Sequence, residues 1–529
     1  MDIKEAILSG KTSLGIELGS TRIKAVLVDG NNNPVAQGSH SWENELCDGI
    51  WTYSPESIDS GIKDCYASLI KDIKEKYDII PETFGSIGIS AMMHGYMAFN
   101  ENWELISPFR TWRNTITGEA SKELTALFDF PIPQRWSIAH LYQCILEKQE
   151  HLKDIVHLTT LAGYIHYRLT GENLLGVGEA SGMFPIDSNT LTYNSLMVEK
   201  FDVRAKEKGF DKPILSLLPS VLSAGEKAGM LTPEGAEYLD ASGTLKSGIP
   251  MCAPEGDAGT GMTATNSIAP ATGNVSAGTS VFAMVVLEKP LSKAYSEIDV
   301  VTTPTGEAVA MVHCNNCTSE LNAWVNIFRE FSALTGSNIS DAKLYNVLFN
   351  IATKGDKDCG KLLAYNYLSG EHVTGFDEGR PMLLRTPDSN FTLANLMRTE
   401  LYTALGALKT GLDILLKEEN VRIASITGHG GFFKTENVGQ SILAAAVNTP
   451  VSVMTTAGEG GAWGMAILAS YMINKDKDEK LCDYLNKKVF ANAEIKTLAP
   501  DKADVEGFEE FMKRYAKGLA IERAAVENL

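Results

Sequence analysis

The chain has 529 residues, 44% of them apolar and 21% charged, with a net charge of −19 and a pI near 5.0. That length exceeds what one hydrophobic core ordinarily serves, so two or more domains are expected. The negative balance repels nucleic acid and anionic membranes and sets both aside as partners. An anionic ligand must therefore be met locally, by backbone N–H groups, lysines or a metal.

The opening, MDIKEAILSGKTS, has neither the apolar stretch nor the cleavage site of a signal peptide. The next segment, TSLGIELGSTRIKAVLVDGNNNPVAQG, reads as strand, tight turn, strand, turn, strand. Helical periodicity follows in SIDSGIKDCYASLIKDIKEKY, and GSIGIS is a short strand. It leads into a stretch that sets Met93, His94, Gly95, Trp112, Arg113 and Asn114 near strand ends. A lone histidine is more often structural, but the setting of His94 also suits a loop that touches substrate.

Residues 252–261 read CAPEGDAGTG, one carboxylate among glycines and alanines. Asp257 there has three readings: a turn residue, a group that helps hold Mg²⁺ through water, or a general base that takes a proton from an attacking alcohol. Just beyond, residues 272–291 repeat the first hairpin as TGNVSAGTSVFAMVVLEKPL. Gly19, Ser20 and Thr21 align with Gly278, Thr279 and Ser280 at a constant offset of 259 residues, and the flanking strands align too. A hairpin written near the start of each half predicts two similar α/β domains, residues 1–266 and 267–529, with their hydroxyl turns facing a shared cleft. Either turn alone is an ordinary hairpin turn. As a pair, their N–H groups and hydroxyls suit the phosphates of a nucleotide, although neither is a Walker loop.

Cys314 and Cys317 form the one close cysteine pair, and a zinc reading would need a second pair that the chain lacks. The plainer expectation is small residues before a helix capped near Thr318, with Trp324, Ile327, Phe328 and Phe331 on its buried face. The eight cysteines lack framework spacing and fit reduced thiols, hence a cytoplasmic protein. After another helical stretch from Leu393, the strand IASIT leads to Gly428, Gly430 and Gly431, where backbone can approach the flat face of a ligand. Gly458, Gly460, Gly461 and Gly464 precede a last apolar helix, too short to span a bilayer. Its N-terminus suits a negative group, and tight packing through small residues is an equal reading.

The paired hairpins, the GDAG segment, GHGGFFKTENVGQ, EGGAWG, WTYSPESI, YRLTGE, EASGMFPID and YLSGE resemble, in order, the FGGY carbohydrate kinases. That resemblance implies two ribonuclease-H-like domains of the actin/hexokinase type around a central catalytic cleft. It implies ATP and Mg²⁺, a small-sugar acceptor and, as an assembly, a homodimer. Asp257 matches the catalytic base, and the two hydroxyl turns match the phosphate turns. Gly430, Gly431 and Gln440 match the adenine side, which Glu459 and Gly460 help to close. Met93-His94-Gly95 is similar to the stretch that contacts sugar in xylulokinases, which makes D-xylulose the leading substrate.

Three departures stand out. Glu17 replaces the usual Asp of the first turn and would order Mg²⁺ through water, with Asp257 beside it. Trp112-Arg113-Asn114 lacks the arginine that ordinarily follows. Ala162-Gly163-Tyr164 replaces Lys-Asp-Tyr. Arg113 would suit a carboxylate, so gluconate is a runner-up beside other pentuloses such as ribulose and hexuloses. A sensor that kept the fold without catalysis, and a bare ATPase, are the readings from other classes.

Overall fold

The computed structural model describes residues 2–337, 339–454 and 460–529. The chain forms two compact units, and neither is one continuous stretch. The first comprises Met1–Ile268, Val300–Val309 and Glu459–Asn492; the second comprises Ala269–Asp299, Ala310–Gly458 and Ala493–Leu529. The first crossing falls close to the expected boundary after residue 266. The two returns to the first unit have no composition shift to announce them.

In the first unit, Ser13–Leu18 pairs antiparallel with Arg22–Val28, which pairs antiparallel with Pro34–Ser41. On its other side Ser13–Leu18 runs parallel to Ser86–Ala91, which is followed by parallel Pro250–Cys252 and antiparallel Lys227–Met230. The second unit repeats this plan. Thr272–Ala277 pairs antiparallel with Val281–Val286, with Ala308–Cys314 beyond it. On the other side come parallel Ser425–His429, parallel Val451–Met454 and antiparallel Ile495–Leu498. Lys227–Met230 and Ile495–Leu498 at the edges aside, and Asp299–Thr302, which adds a strand to the second sheet only, five successive strands of each sheet have the order 3-2-1-4-5 when counted from the hairpin. The repeat seen in two turns therefore extends through five strands of each sheet.

Sequence chemistry explains the elements that position the site. The helix Pro55–Tyr77 begins where the Ser54 hydroxyl accepts from Ser57 N at 3.1 Å and proline occupies the first turn. Ile58, Ile62, Cys65, Leu69 and Ile73 line one face at helical spacing and are buried against the first sheet. It stops at Asp78, which adopts the left-handed conformation at φ 55°. The helix Gly460–Asn474 lies across the middle of that sheet, so close that a Cβ at Gly464 would overlap the Thr260 carbonyl of the neighbouring helix Asp257–Ala264. Tight packing is thus what Gly464 does, whereas an added Cβ at Gly460 would meet nothing closer than Lys24 Nζ at 3.9 Å, and Gly458 lies outside the described residues.

Two expectations need correction. The helix Thr318–Leu334 buries Leu321, Val325 and Ser332, whereas Ile327 and Phe331 are 53% and 65% exposed and Trp324 and Phe328 are half-buried. Apolar residues occur on more than one stripe of this helix, and the narrower stripe faces inward. Thr318 does not cap it either, because its hydroxyl donates to the Gly278 carbonyl at 2.7 Å. No helix among the described residues is long and apolar enough to cross a membrane.

Candidate active site

In the first unit the site forms where parallel strands end. Ser13–Leu18 runs into Gly19-Ser20-Thr21, and Ser86–Ala91 runs into Met93-His94-Gly95. The short strand Glu255–Gly256 pairs parallel with Ser90 and Ala91, so Asp257 emerges at the same carboxyl ends, where open α/β sheets hold their ligands. Met93 N donates to Asp257 Oδ1 at 3.1 Å and orients the carboxylate. His94 at φ 72° and Gly95 at φ 101° then turn the chain away. The His94 ring is buried, stacks on Trp136 with centroids 6.2 Å apart, and has Nδ1 3.3 Å from the Gly182 carbonyl.

Asp257 is open to water at its surface, yet protein crowds it at longer range. That desolvation pushes its carboxyl above the usual range, against the stabilising Met93 N–H. Glu17 is half-buried, and Ala462 N, in the first turn of Gly460–Asn474, donates to its Oε2 at 3.1 Å. Desolvation and then the charge of Asp257 raise it to about 7, partly offset by Lys24 and that N–H. The negative group expected at this helix N-terminus is therefore the protein's own Glu17.

Two carboxylates behind Asp257 escaped the sequence reading. Glu255 is buried, accepts from Gly178 N at 3.3 Å and Glu179 N at 2.9 Å, and burial raises it to about 8. Glu179 is also buried. Desolvation, followed by the charges of Glu255 and Asp257, pushes it well above the carboxylate range, against the Thr160 hydroxyl. Glu255 adjoins the glycine-flanked acid and Glu179 lies in EASGMFPID, but no spacing joins them.

Aromatic residues fix the first hydroxyl turn. Trp42 Nε1 donates to the Gly19 carbonyl at 2.7 Å, Tyr53 Oη to the Ser20 carbonyl at 2.6 Å, and Trp42 N to the Thr21 carbonyl at 3.2 Å. In a planar trans peptide the following N–H points opposite to each carbonyl, so the turn directs its N–H groups away from these anchors. Trp112 Nε1 donates to Ser20 Oγ at 3.0 Å, tying the expected sugar segment to this turn. The neighbours of Trp112 look elsewhere. Asn114 is buried and bonds through both amide atoms to Trp51 and Thr111, while Arg113 donates to Asn44 and lies 3.8 Å over the Trp51 ring.

In the second unit the turn is held in the same way by other residues. Thr318 N donates to the Gly278 carbonyl and Cys317 N to the Thr279 carbonyl, each at 3.0 Å. By the same planarity the N–H groups of Thr279 and Ser280 face away from these anchors, and the Thr279 side chain is exposed. Gly430, at φ 101°, packs so tightly on Ala277 that a Cβ would overlap its carbonyl, and Gly431 follows with open space around it. Gln440 is buried and donates to the carbonyls of Val451 and Lys496, each at 2.7 Å, so its amide N–H₂ serves the packing of this unit. Gly460 belongs to the first unit and Gly430 and Gly431 to the second, and Glu459 lies outside the described residues. Among the described residues, no three His, Cys, Asp or Glu side chains group to hold a metal.

Two α/β units with the same hairpin-led sheet, one bringing Asp257 to the carboxyl ends of its strands, define the two-domain fold of the actin/hexokinase type. Residues 12–263 match the N-terminal domain of the FGGY family of carbohydrate kinases, and residues 273–473 match its C-terminal domain. The chain belongs to that family. It is 23% identical to a xylulose kinase of Haemophilus influenzae, over 96% of this chain and 99% of that relative. Crystal structures of a ligand-bound xylulose kinase and of a gluconate kinase, both from Lactobacillus acidophilus, superpose equally well. Each gives a TM-score of 0.77 at 18% identity and covers 97% of this chain and 98% of its own. The family match therefore identifies a carbohydrate kinase, and the fold, shared by xylulose and gluconate kinases, leaves the choice of sugar to local residues.

Proposed function

We propose that this protein transfers the γ-phosphoryl group of ATP to a terminal hydroxyl of a small open-chain sugar, with D-xylulose as the leading substrate. Asp257 carries the reading: a crowded carboxylate, oriented by a backbone N–H, beside an anchored hydroxyl turn. As the sugar oxygen bonds to phosphorus, its proton passes to Asp257, the bond from phosphorus to the bridging oxygen breaks, and ADP leaves. A carboxyl raised above its usual range is a stronger base, and phosphoryl transfer asks the protein mainly for positioning and charge neutralisation. Both turns, with carbonyls tied back and N–H groups outward, suit phosphate oxygens.

Mg²⁺ fits the acids present. This ion is ordinarily held by one or two carboxylates together with water and phosphate, and Glu17 and Asp257 are two like charges that repel one another. When bound, it would neutralise charge on the phosphates. Met93, His94 and Gly95 would meet the sugar, and Trp112 would join the sugar side to the first turn.

Support for xylulose comes from the curated relative. Support for a sugar acid weakens because the Arg113 guanidinium is engaged by Asn44 and Trp51. Eight unpaired thiols support a cytoplasmic location. The test is ADP release from Mg·ATP across D-xylulose, L-xylulose, D- and L-ribulose, D-fructose, D-gluconate and glycerol. Release stimulated by D-xylulose above all others is expected. Stimulation by another sugar alone would replace the substrate, and sugar-independent release would mean an ATPase.

A further inference from the structure

The YLSGE segment and the Cys314–Cys317 loop have no role in the account so far, and they meet beneath the second hydroxyl turn. Glu371 is fully buried, and its Oε2 accepts from Asn315 N at 2.9 Å, Asn316 N at 3.3 Å and Asn316 Nδ2 at 3.2 Å. Asn316 is buried in turn, and its Oδ1 accepts from Leu368 N at 3.0 Å and Ser369 N at 3.1 Å. Asn366 Nδ2 donates to the Cys317 carbonyl at 3.1 Å, and Asn315 Nδ2 to the Gly370 carbonyl at 2.8 Å. The loop is thus bound to residues 366–371 at every position from Asn315 to Cys317. Its next two N–H groups, on Cys317 and Thr318, hold the Thr279 and Gly278 carbonyls.

We infer that Glu371 and Asn316 are positioning residues for the nucleotide, setting the direction of the Thr279 and Ser280 N–H groups through Cys317 and Thr318. The inference rests on the proposed reading of this turn as a phosphate site. A carboxylate is costly in this place, since burial raises Glu371 to about 7, and several directed N–H bonds hold it there. The chain of bonds is short and each link is directional, so a shift of the loop tilts both peptide planes of the turn. Cys314 and Cys317 are buried thiols held above their usual range by burial, which suits small packing groups under a rigid loop.

The test is ATP affinity of the full chain with Mg²⁺ and no sugar, measured by calorimetry. Asn316→Asp keeps the acceptor oxygen but sets a second carboxylate against Glu371, and about tenfold weaker binding is expected. Glu371→Ala removes the one oxygen that accepts all three N–H groups and should weaken binding to a similar degree, whereas Glu371→Gln can set its amide oxygen in the place of Oε2, keep the three bonds and bind within about twofold of wild type. If Asn316→Asp does not fold, Glu371→Ala is decisive, and wild-type affinity in it overturns the inference. Equal weakening by Glu371→Gln and Asn316→Asp would mean general damage and overturn the inference, as would wild-type affinity in Asn316→Asp. Thr279→Glu separates the two levels of the argument by placing a carboxylate at the exposed tip of the turn. If it leaves ATP binding unchanged, the phosphate reading itself fails; if it abolishes binding while Asn316→Asp binds normally, only the positioning inference fails.

Discussion

At the residue scale the account depends on which polar groups are already engaged. The family resemblance makes Asn114 and Gln440 ligand contacts, but both amide atoms of Asn114 and the N–H₂ of Gln440 are engaged by backbone. Trp112 is different, since its one donor reaches Ser20 and leaves the ring half-buried. Trp112→Phe removes that donor and keeps an aromatic ring, so a loss of about 1 kcal/mol is expected, roughly a fivefold lower kcat/KM for ATP. Steady-state kinetics beside a melting curve checks this. A lower melting temperature with unchanged kcat/KM would assign the bond to stability alone. Asp257 could be singled out because an acid among small residues is a local signal. Glu179 and Glu255 could not, because 76 residues of chain separate two groups that meet only in the fold.

At the element scale the late glycine run shows how one pattern serves two chemistries. Gly430 is needed for its positive φ and its closeness to Ala277, whereas Gly464 is needed because a helix lies against it. Gly464→Ala is expected to cost about 1–3 kcal/mol by overpacking. Gly261→Ala, inside the helix Asp257–Ala264 with nothing within 4 Å of the added Cβ, should be neutral or stabilise by up to about 1 kcal/mol. Urea unfolding of the pair decides, and equal effects from both would contradict the packing described. Helix periodicity at 318–334 was legible, but not its inward face, because apolar residues occupy several stripes and tertiary packing selects among them.

At the scale of the whole molecule, the duplicated hairpin revealed two similar domains, and the sheets extend that similarity through five strands in the same order. What the sequence hid was the return of residues 459–492 to the first unit. The helix Gly460–Asn474 from this return is apolar nearly all round and covers the centre of the first sheet, as a buried helix must. A fragment ending at Ile268 lacks that cover and is expected to lose fixed packing, read as a weak near-UV circular dichroism signal and non-cooperative unfolding. A fragment that unfolds cooperatively would contradict the division into units.

The central claim is that Asp257 is the base of a sugar kinase, and the most direct measurement is sugar-dependent ADP release by wild type, Asp257→Asn and Asp257→Ala, with ATP affinity measured on each. The account predicts that both substitutions lower turnover by at least about 10²-fold, the scale of general base catalysis, while ATP still binds. Turnover retained in Asp257→Ala would contradict it.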